Sequence, residues 1–119
     1  MGYRYNEFIV IFRELLKKGC DINAQTFNGH TALHMAVDKR SVLMTLELLK
    51  HGANFNLLDT NRISPLHLAI DRMDMKIVEM LLNYGINFDT LKNESGKTAL
   101  ELALEYGEHD IVKMISFHK

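Results

Sequence analysis

Six histidines, a single cysteine and a run of carboxylates are the side chains of this sequence best able to do chemistry. His30 and His34 stand four apart, a spacing at which two imidazoles can share a zinc ion on one helix face. His30, however, precedes the helix start expected at Thr31, so the two rings do not share that face. His51, His109 and His118 fall at expected helix ends or surfaces, with no carboxylate or thiolate at ligand spacing. Gly96-Lys97-Thr98 has the ending of a phosphate-binding loop, but that loop needs glycine at position 91, which is Leu. Cys20 has no histidine near it in sequence and no second cysteine to pair with, so it reads as a packed thiol. Glu101 and Glu105 share a helix face at i and i+4, as a general acid and base could. With Glu108 and Asp110 beside them and no deep pocket implied, they read as a solvated acidic face. Asn93-Glu94-Ser95 has the form of a glycosylation sequon, which matters only in a secreted chain. No catalytic residue, cofactor site or metal site is expected, and the chain is not expected to be an enzyme.

The composition narrows the classes further. The 119 residues suit one domain, and 47% hydrophobic with 24% charged residues suits a folded chain. The formal charge of −1 gives no basic excess for phosphate neutralisation, so nucleic acid is not an expected partner. No apolar run approaches the roughly 20 residues that span a bilayer, the longest being 8–12, so no membrane association is expected. The first residues lack the apolar core of a signal peptide, and Asn6 stands where a myristoylation signal has Ser or Thr. These features point to an intracellular chain, cytoplasmic rather than nuclear.

The elements that would position these side chains recur. Gly19, Gly52 and Gly85 are spaced by one constant period; Leu33, Leu66 and Leu100, and Ala36, Ala69 and Ala103, keep it with one extra residue in the last step. That residue falls between Phe88 and Gly96, in an expected loop. Each unit opens with Thr31-Ala32-Leu33-His34-Met35-Ala36, Ser64-Pro65-Leu66-His67-Leu68-Ala69 or Thr98-Ala99-Leu100-Glu101-Leu102-Ala103. Thr or Ser suits the N-cap, and Pro65 suits the first helical position. A break follows near Arg40, Met73 and Gly107, then a second helix, for instance 75–84 with Ile77, Val78, Met80, Leu81 and Leu82 on a broad apolar face. Gly52 and Gly85 end second helices. Behind them, Ile22, Phe55 and Phe88 point back into the stack while the flanking Asn and Asp fold turns.

At these hexapeptides and this period the sequence resembles the ankyrin repeat family, over nearly its whole length. The resemblance implies an all-α solenoid of antiparallel helix pairs with protruding β-turn fingers. It implies a single domain with repeats at about 1–27 (incomplete), 28–60, 61–92 and 93–119. The incomplete unit would hold one helix over 7–18. The apolar stretch 8–12 would be covered by Tyr3 and Tyr5, by further repeats of a longer array, or by another subunit. A monomer or weak self-association through this unit is expected. His34 and His67 would bond backbone in the neighbouring finger. Leu46 and Glu47 break the pattern: Glu47 stands where Met80 and Met114 do, which suggests a slightly rotated helix or simple tolerance.

The resemblance also implies a function, binding of a protein partner through finger tips and the concave face of the first helices. The tip positions are Phe27, Asn28 and His30; Thr60, Asn61 and Ile63; and Glu94, Ser95 and Lys97. The groove positions are Asp38 and Lys39, Asp71 and Arg72, and Glu105 and Tyr106. Asn23 and Asn56 match the finger asparagine that asparaginyl hydroxylases modify in this family, with Leu15 and Leu48 eight residues earlier. Two narrower readings stand beside this one: a regulatory protein resembling NF-κB inhibitors, and the substrate-recognition part of a larger adaptor.

Overall fold

The computed structural model describes residue 13, residue 17, residue 19 and residues 21–117. Among them are six α-helices and no strand: α1 (Ala32–Asp38), α2 (Val42–Lys50), α3 (Pro65–Asp71), α4 (Met75–Asn83), α5 (Ala99–Glu105) and α6 (His109–Phe117). The helices have 7 or 9 residues, too few to be stable alone in water. Tertiary packing must hold them, and it does so periodically. Helix α1 packs on α3, and α3 on α5, forming one layer; α2, α4 and α6 form the second. Each pair thus closes its core only against its neighbours.

Caps decide where each short helix begins. Thr31, Ser64 and Thr98 adopt extended backbone and accept from the amides of His34, His67 and Glu101. The second helices α2 and α4 are capped by Ser41 and Asp74. The first helices end in closed loops in which the Ser41 amide donates to the Ala36 carbonyl and the Asp74 amide to the Ala69 carbonyl. The reversal between paired helices falls at Arg40, Met73 and Gly107, with φ of 57°, 56° and 71°.

The core is the repeated apolar set. Leu33, Val37, Leu48, Leu66, Ala69, Ile70, Ile77, Val78, Leu81, Ala103, Ile111 and Ile115 are essentially inaccessible. Ile22, Phe55 and Phe88 pack against that core from the fingers. The extra residue of the last repeat is absorbed after Phe88, where the Asn87 carboxamide accepts from the amides of Asp89, Thr90 and Leu91.

Helix α2 is not rotated. It buries Met44, Thr45, Leu48 and Leu49, the same places that α4 buries with Ile77, Val78, Leu81 and Leu82. Glu47 therefore does point inward, at 5% exposure. Its charge is answered by Arg13, whose Nε and terminal nitrogen donate to the two carboxylate oxygens at 3.0 and 2.5 Å. The bonds from Arg13 hold the Glu47 carboxyl below its ordinary pKa against the opposing effect of desolvation. The apolar stretch 8–12, Tyr3, Tyr5, Leu15, Cys20 and His118 lie outside the described residues, as does most of the expected helix over 7–18.

Candidate functional site

The fingers are tied to one another by side chains that each repeat supplies. His34 and His67 are the clearest case. The Nε2 of His34 lies 2.8 Å from the Ile63 carbonyl, and that of His67 3.0 Å from the Lys97 carbonyl. A carbonyl only accepts, so Nε2 carries the proton. Nδ1 of His34 is then the acceptor for the Thr31 amide at 3.2 Å and lies 2.9 Å from the Thr31 hydroxyl; Nδ1 of His67 lies 2.7 Å from the Ser64 hydroxyl. Both rings are buried, and desolvation lowers both pKa values, opposed in each by the carbonyl bond. In the third unit Glu101 takes the same place and completes a capping box with Thr98. That bond holds its carboxyl below the ordinary value.

Further ties run between the first and second fingers. The Asn23 side-chain oxygen accepts from the Asn54 amide at 2.6 Å, and Gln25 donates to the Gly29 and Leu58 carbonyls. The Asn28 carbonyl accepts from the Thr60 amide and hydroxyl at 3.0 and 3.1 Å. His30 contacts the buried Asp59 carboxylate at 3.2 Å. Asp59 itself closes the second tip by accepting from the amides of Asn61 and Ile63. Between the second and third fingers, Asn56 accepts from the Asn87 amide and Arg62 donates to the Lys92 carbonyl.

Along the first-helix layer a polar chain crosses the repeats. Arg72 bonds Asp38 of the preceding repeat at 2.5 Å and its own neighbour Asp71 at 3.2 Å. Asp71 also accepts from the Tyr106 hydroxyl of the following repeat at 2.9 Å. These bonds hold the Arg72 guanidinium, through Asp38 first, and the Tyr106 hydroxyl, through Asp71 first, above their ordinary pKa values. Arg40 donates to the Arg72 carbonyl, and Lys97 pairs with Glu105.

The residues expected at tips and groove therefore sort into three kinds. Phe27 is fully exposed, Lys39 and Asn61 are exposed, and Tyr106 is 40% exposed. Asp71, Arg72, Lys97 and Glu105 are accessible but already paired within the stack. Ile63, His30 and Thr60 contribute to the finger ties, and Ile63 is half-buried. The His30–His34 pair offers no shared ligand set, because both nitrogens of His34 are engaged. Among the described residues no group of three or more His, Cys, Asp and Glu side chains could hold a metal ion. The segment 96–98 is committed as well: the Lys97 amide bonds Asn93 and Thr98 caps α5. Sequence reasoning missed the Arg13–Glu47 pair and the Asp38–Arg72–Asp71–Tyr106 chain. The available signals were Glu47 on an otherwise apolar face and the acids at 38 and 71, each a repeat before a donor at 72 and 106.

Stacked helix pairs, staggered into two layers and bound finger to finger, define a helical-repeat solenoid with an accessible tip-and-groove surface. A family model described as ankyrin repeats (3 copies) matches residues 3–59 and again residues 43–119, and the chain belongs to the ankyrin repeat family. Ankyrin repeats are in general non-catalytic modules of protein–protein interaction. No curated protein matches the chain. Among the described residues no helix is long and apolar enough to cross a membrane.

Proposed function

We propose that the chain binds a protein partner along one strip, from the finger tips at Phe27, Asn28, His30, Thr60, Asn61, Ile63 and Lys97 into the groove at Lys39, Asp71, Arg72, Glu105 and Tyr106. Phe27 is the observation that carries this reading. Its side chain is 100% exposed, on a finger whose backbone is fixed by Thr60 and Gln25. An aromatic side chain displayed on an ordered tip can anchor a partner with little further loss of backbone freedom. The groove supports the same reading. Arg72 and Tyr106 belong to types that often dominate interface energetics, and Asp38 and Asp71 hold them in place before any partner arrives.

Affinity capture with the full chain as bait tests the proposal. Phe27→Ala, Lys39→Glu and the pair Arg72→Ala with Tyr106→Ala are expected to lose partners recovered by the unaltered chain, at an unchanged circular dichroism spectrum. Full recovery of every partner by all three variants overturns it. Ile63 is left out, because its carbonyl serves His34 and truncation would disturb the finger.

The proposal places the chain in the cytoplasm and treats it as a monomer or weak self-associate, which sedimentation would measure. It also takes Asn23 and Asn56 as positions for β-carbon hydroxylation. Their side-chain oxygens bridge fingers, so hydroxylase treatment followed by peptide mass spectrometry should modify them faster in destabilised variants than in the unaltered chain.

A further inference from the structure

We propose that Asn28–Gly29, at the tip of the first finger, is a site of spontaneous deamidation, and that its isoaspartyl product releases the first finger from the second. Asn28 is the only asparagine in the chain that precedes a glycine. It is exposed, and its carboxamide makes no hydrogen bond among the described residues. The side-chain oxygens of Asn23, Asn54, Asn56, Asn87 and Asn93, by contrast, all accept backbone amides. A glycine leaves the following amide nitrogen unshielded by any side chain.

Packing fixes that glycine in place. Gly29 has φ of 77°, and a Cβ there would meet the Thr60 nitrogen at 2.8 Å and the Asp59 Cα at 2.9 Å. The second finger has Asn61–Arg62 at the same place. The close approach of the second finger to the first is thus what keeps the labile dipeptide at the first tip.

In the reaction the Gly29 amide nitrogen gives its proton to hydroxide and attacks Cγ of Asn28. The new N–Cγ bond forms, Nδ2 takes a proton from water as the Cγ–Nδ2 bond breaks, and ammonia leaves with hydroxide regenerated. Water then adds to the cyclic imide. Opening at Cγ gives Asp; opening at the main-chain carbonyl gives isoaspartate, with the chain now routed through the former side chain. The Gly29 amide donates to the Thr26 carbonyl at 2.8 Å, so the attack proceeds from an opened tip, a low-energy excursion for an exposed turn. Isoaspartate adds a methylene to the backbone and turns the carbonyl that receives both Thr60 bonds into a free carboxylate. That new charge falls beside the buried Asp59.

The full chain is incubated folded at mildly alkaline pH, with peptide mapping, ammonia release and isoaspartyl methyltransferase labelling as readouts. Conversion at Asn28 should exceed that at exposed Asn61 by an order of magnitude. In the isoaspartyl fraction the Thr60 amide should exchange with solvent as fast as an unbonded loop amide. Asn28→Gln should release no such ammonia and keep Thr60 protected. Equal conversion at both asparagines, or conversion only in denaturant, overturns the site. A protected Thr60 amide in the isoaspartyl fraction overturns the release. Neither outcome depends on what the chain binds.

Discussion

Acidification should loosen the stack through His34 and His67 before any carboxylate is involved. In both rings Nε2 donates to a finger carbonyl, and in His34 Nδ1 must also stay unprotonated to accept from the Thr31 amide. A proton on that Nδ1 would oppose a donor with a donor. Burial lowers both pKa values. Around His34 the Asp59 carboxylate opposes that lowering and His30 adds to it. With the folded value depressed, the unfolded chain binds more protons as pH falls below about 6.5, so stability is present above that value and is lost below it. Each ring that stays neutral contributes a slope of at most about 1.4 kcal/mol per pH unit. Between pH of about 7.5 and 5.5 the ceiling is then about 1.4 kcal/mol per ring, or about 2.7 kcal/mol for both. At the usual unfolding entropy per residue this lowers Tm by about 10 °C. Thermal unfolding by circular dichroism, with and without the double change His34→Gln and His67→Gln, isolates the effect, because every other histidine is common to both chains. At neutral pH the variant should be less stable by about 1–3 kcal/mol per orphaned finger carbonyl. Its deficit should shrink as pH falls. The depressed Glu47 and Glu101 act with the same sign but only as pH falls below the ordinary carboxylate range near 4.5, outside this window. Parallel pH profiles for the two chains would refute the reasoning.

The other expectations are local. Arg13→Ala strands the inward Glu47 and should lower Tm, while Glu47→Met in the same background should restore it, since Met80 fills that place one repeat on; failure of the second change to rescue would break the link. Thr45 is fully buried, its hydroxyl has no hydrogen-bond partner among the described residues, and the equivalent position in α4 is Val78. Thr45→Val should raise stability by about 1 kcal/mol in urea unfolding, and a loss would show that the hydroxyl is satisfied. Gly52 has φ of 83° with nothing within 4 Å of the place a Cβ would take, whereas Gly29 abuts Thr60. Gly52→Ala should therefore cost about 1 kcal/mol from backbone strain alone, and Gly29→Ala distinctly more; equal losses would contradict the close approach of the fingers.

What recurs along this chain is legible in the residues themselves, because a repeat states its rule several times. Leu33, Leu66 and Leu100 mark one packing position, Thr31, Ser64 and Thr98 one cap, and Ile22, Phe55 and Phe88 one finger anchor. Even the place of the extra residue follows from the broken period, since a loop absorbs it more cheaply than a helix. The fold needs no more than this. The face that could meet a partner is another matter, because the side chains at its shared positions change from one repeat to the next. Arg72 bridges to Asp38, and Tyr106 to Asp71 at the same two places one repeat on, so the position recurs while the donor changes from guanidinium to phenol; Arg13 bridges to Glu47, and the equivalent places one repeat on hold Leu46 and Met80.

Position in the stack also decides what a repeated residue does. Val37, Ile70 and Leu104 hold the same place in the motif, yet the first two are fully buried and Leu104 is 58% exposed. The helices α3 and α5 pack on α1 and α3 respectively and cover Val37 and Ile70. Burial here is a property of the neighbour rather than of the residue. The same holds for the histidines. His34 and His67 act as ties because a following finger offers a carbonyl. Glu101, in the equivalent place, is a carboxylate with no proton to give a carbonyl, so it accepts from its own Thr98 amide and stays a cap. A repeat position thus specifies the local geometry, and the adjoining repeat specifies the chemistry. The surface that distinguishes this chain from others with the same period should therefore be sought in cross-repeat pairs and at exposed tips such as Phe27, rather than in the motif itself.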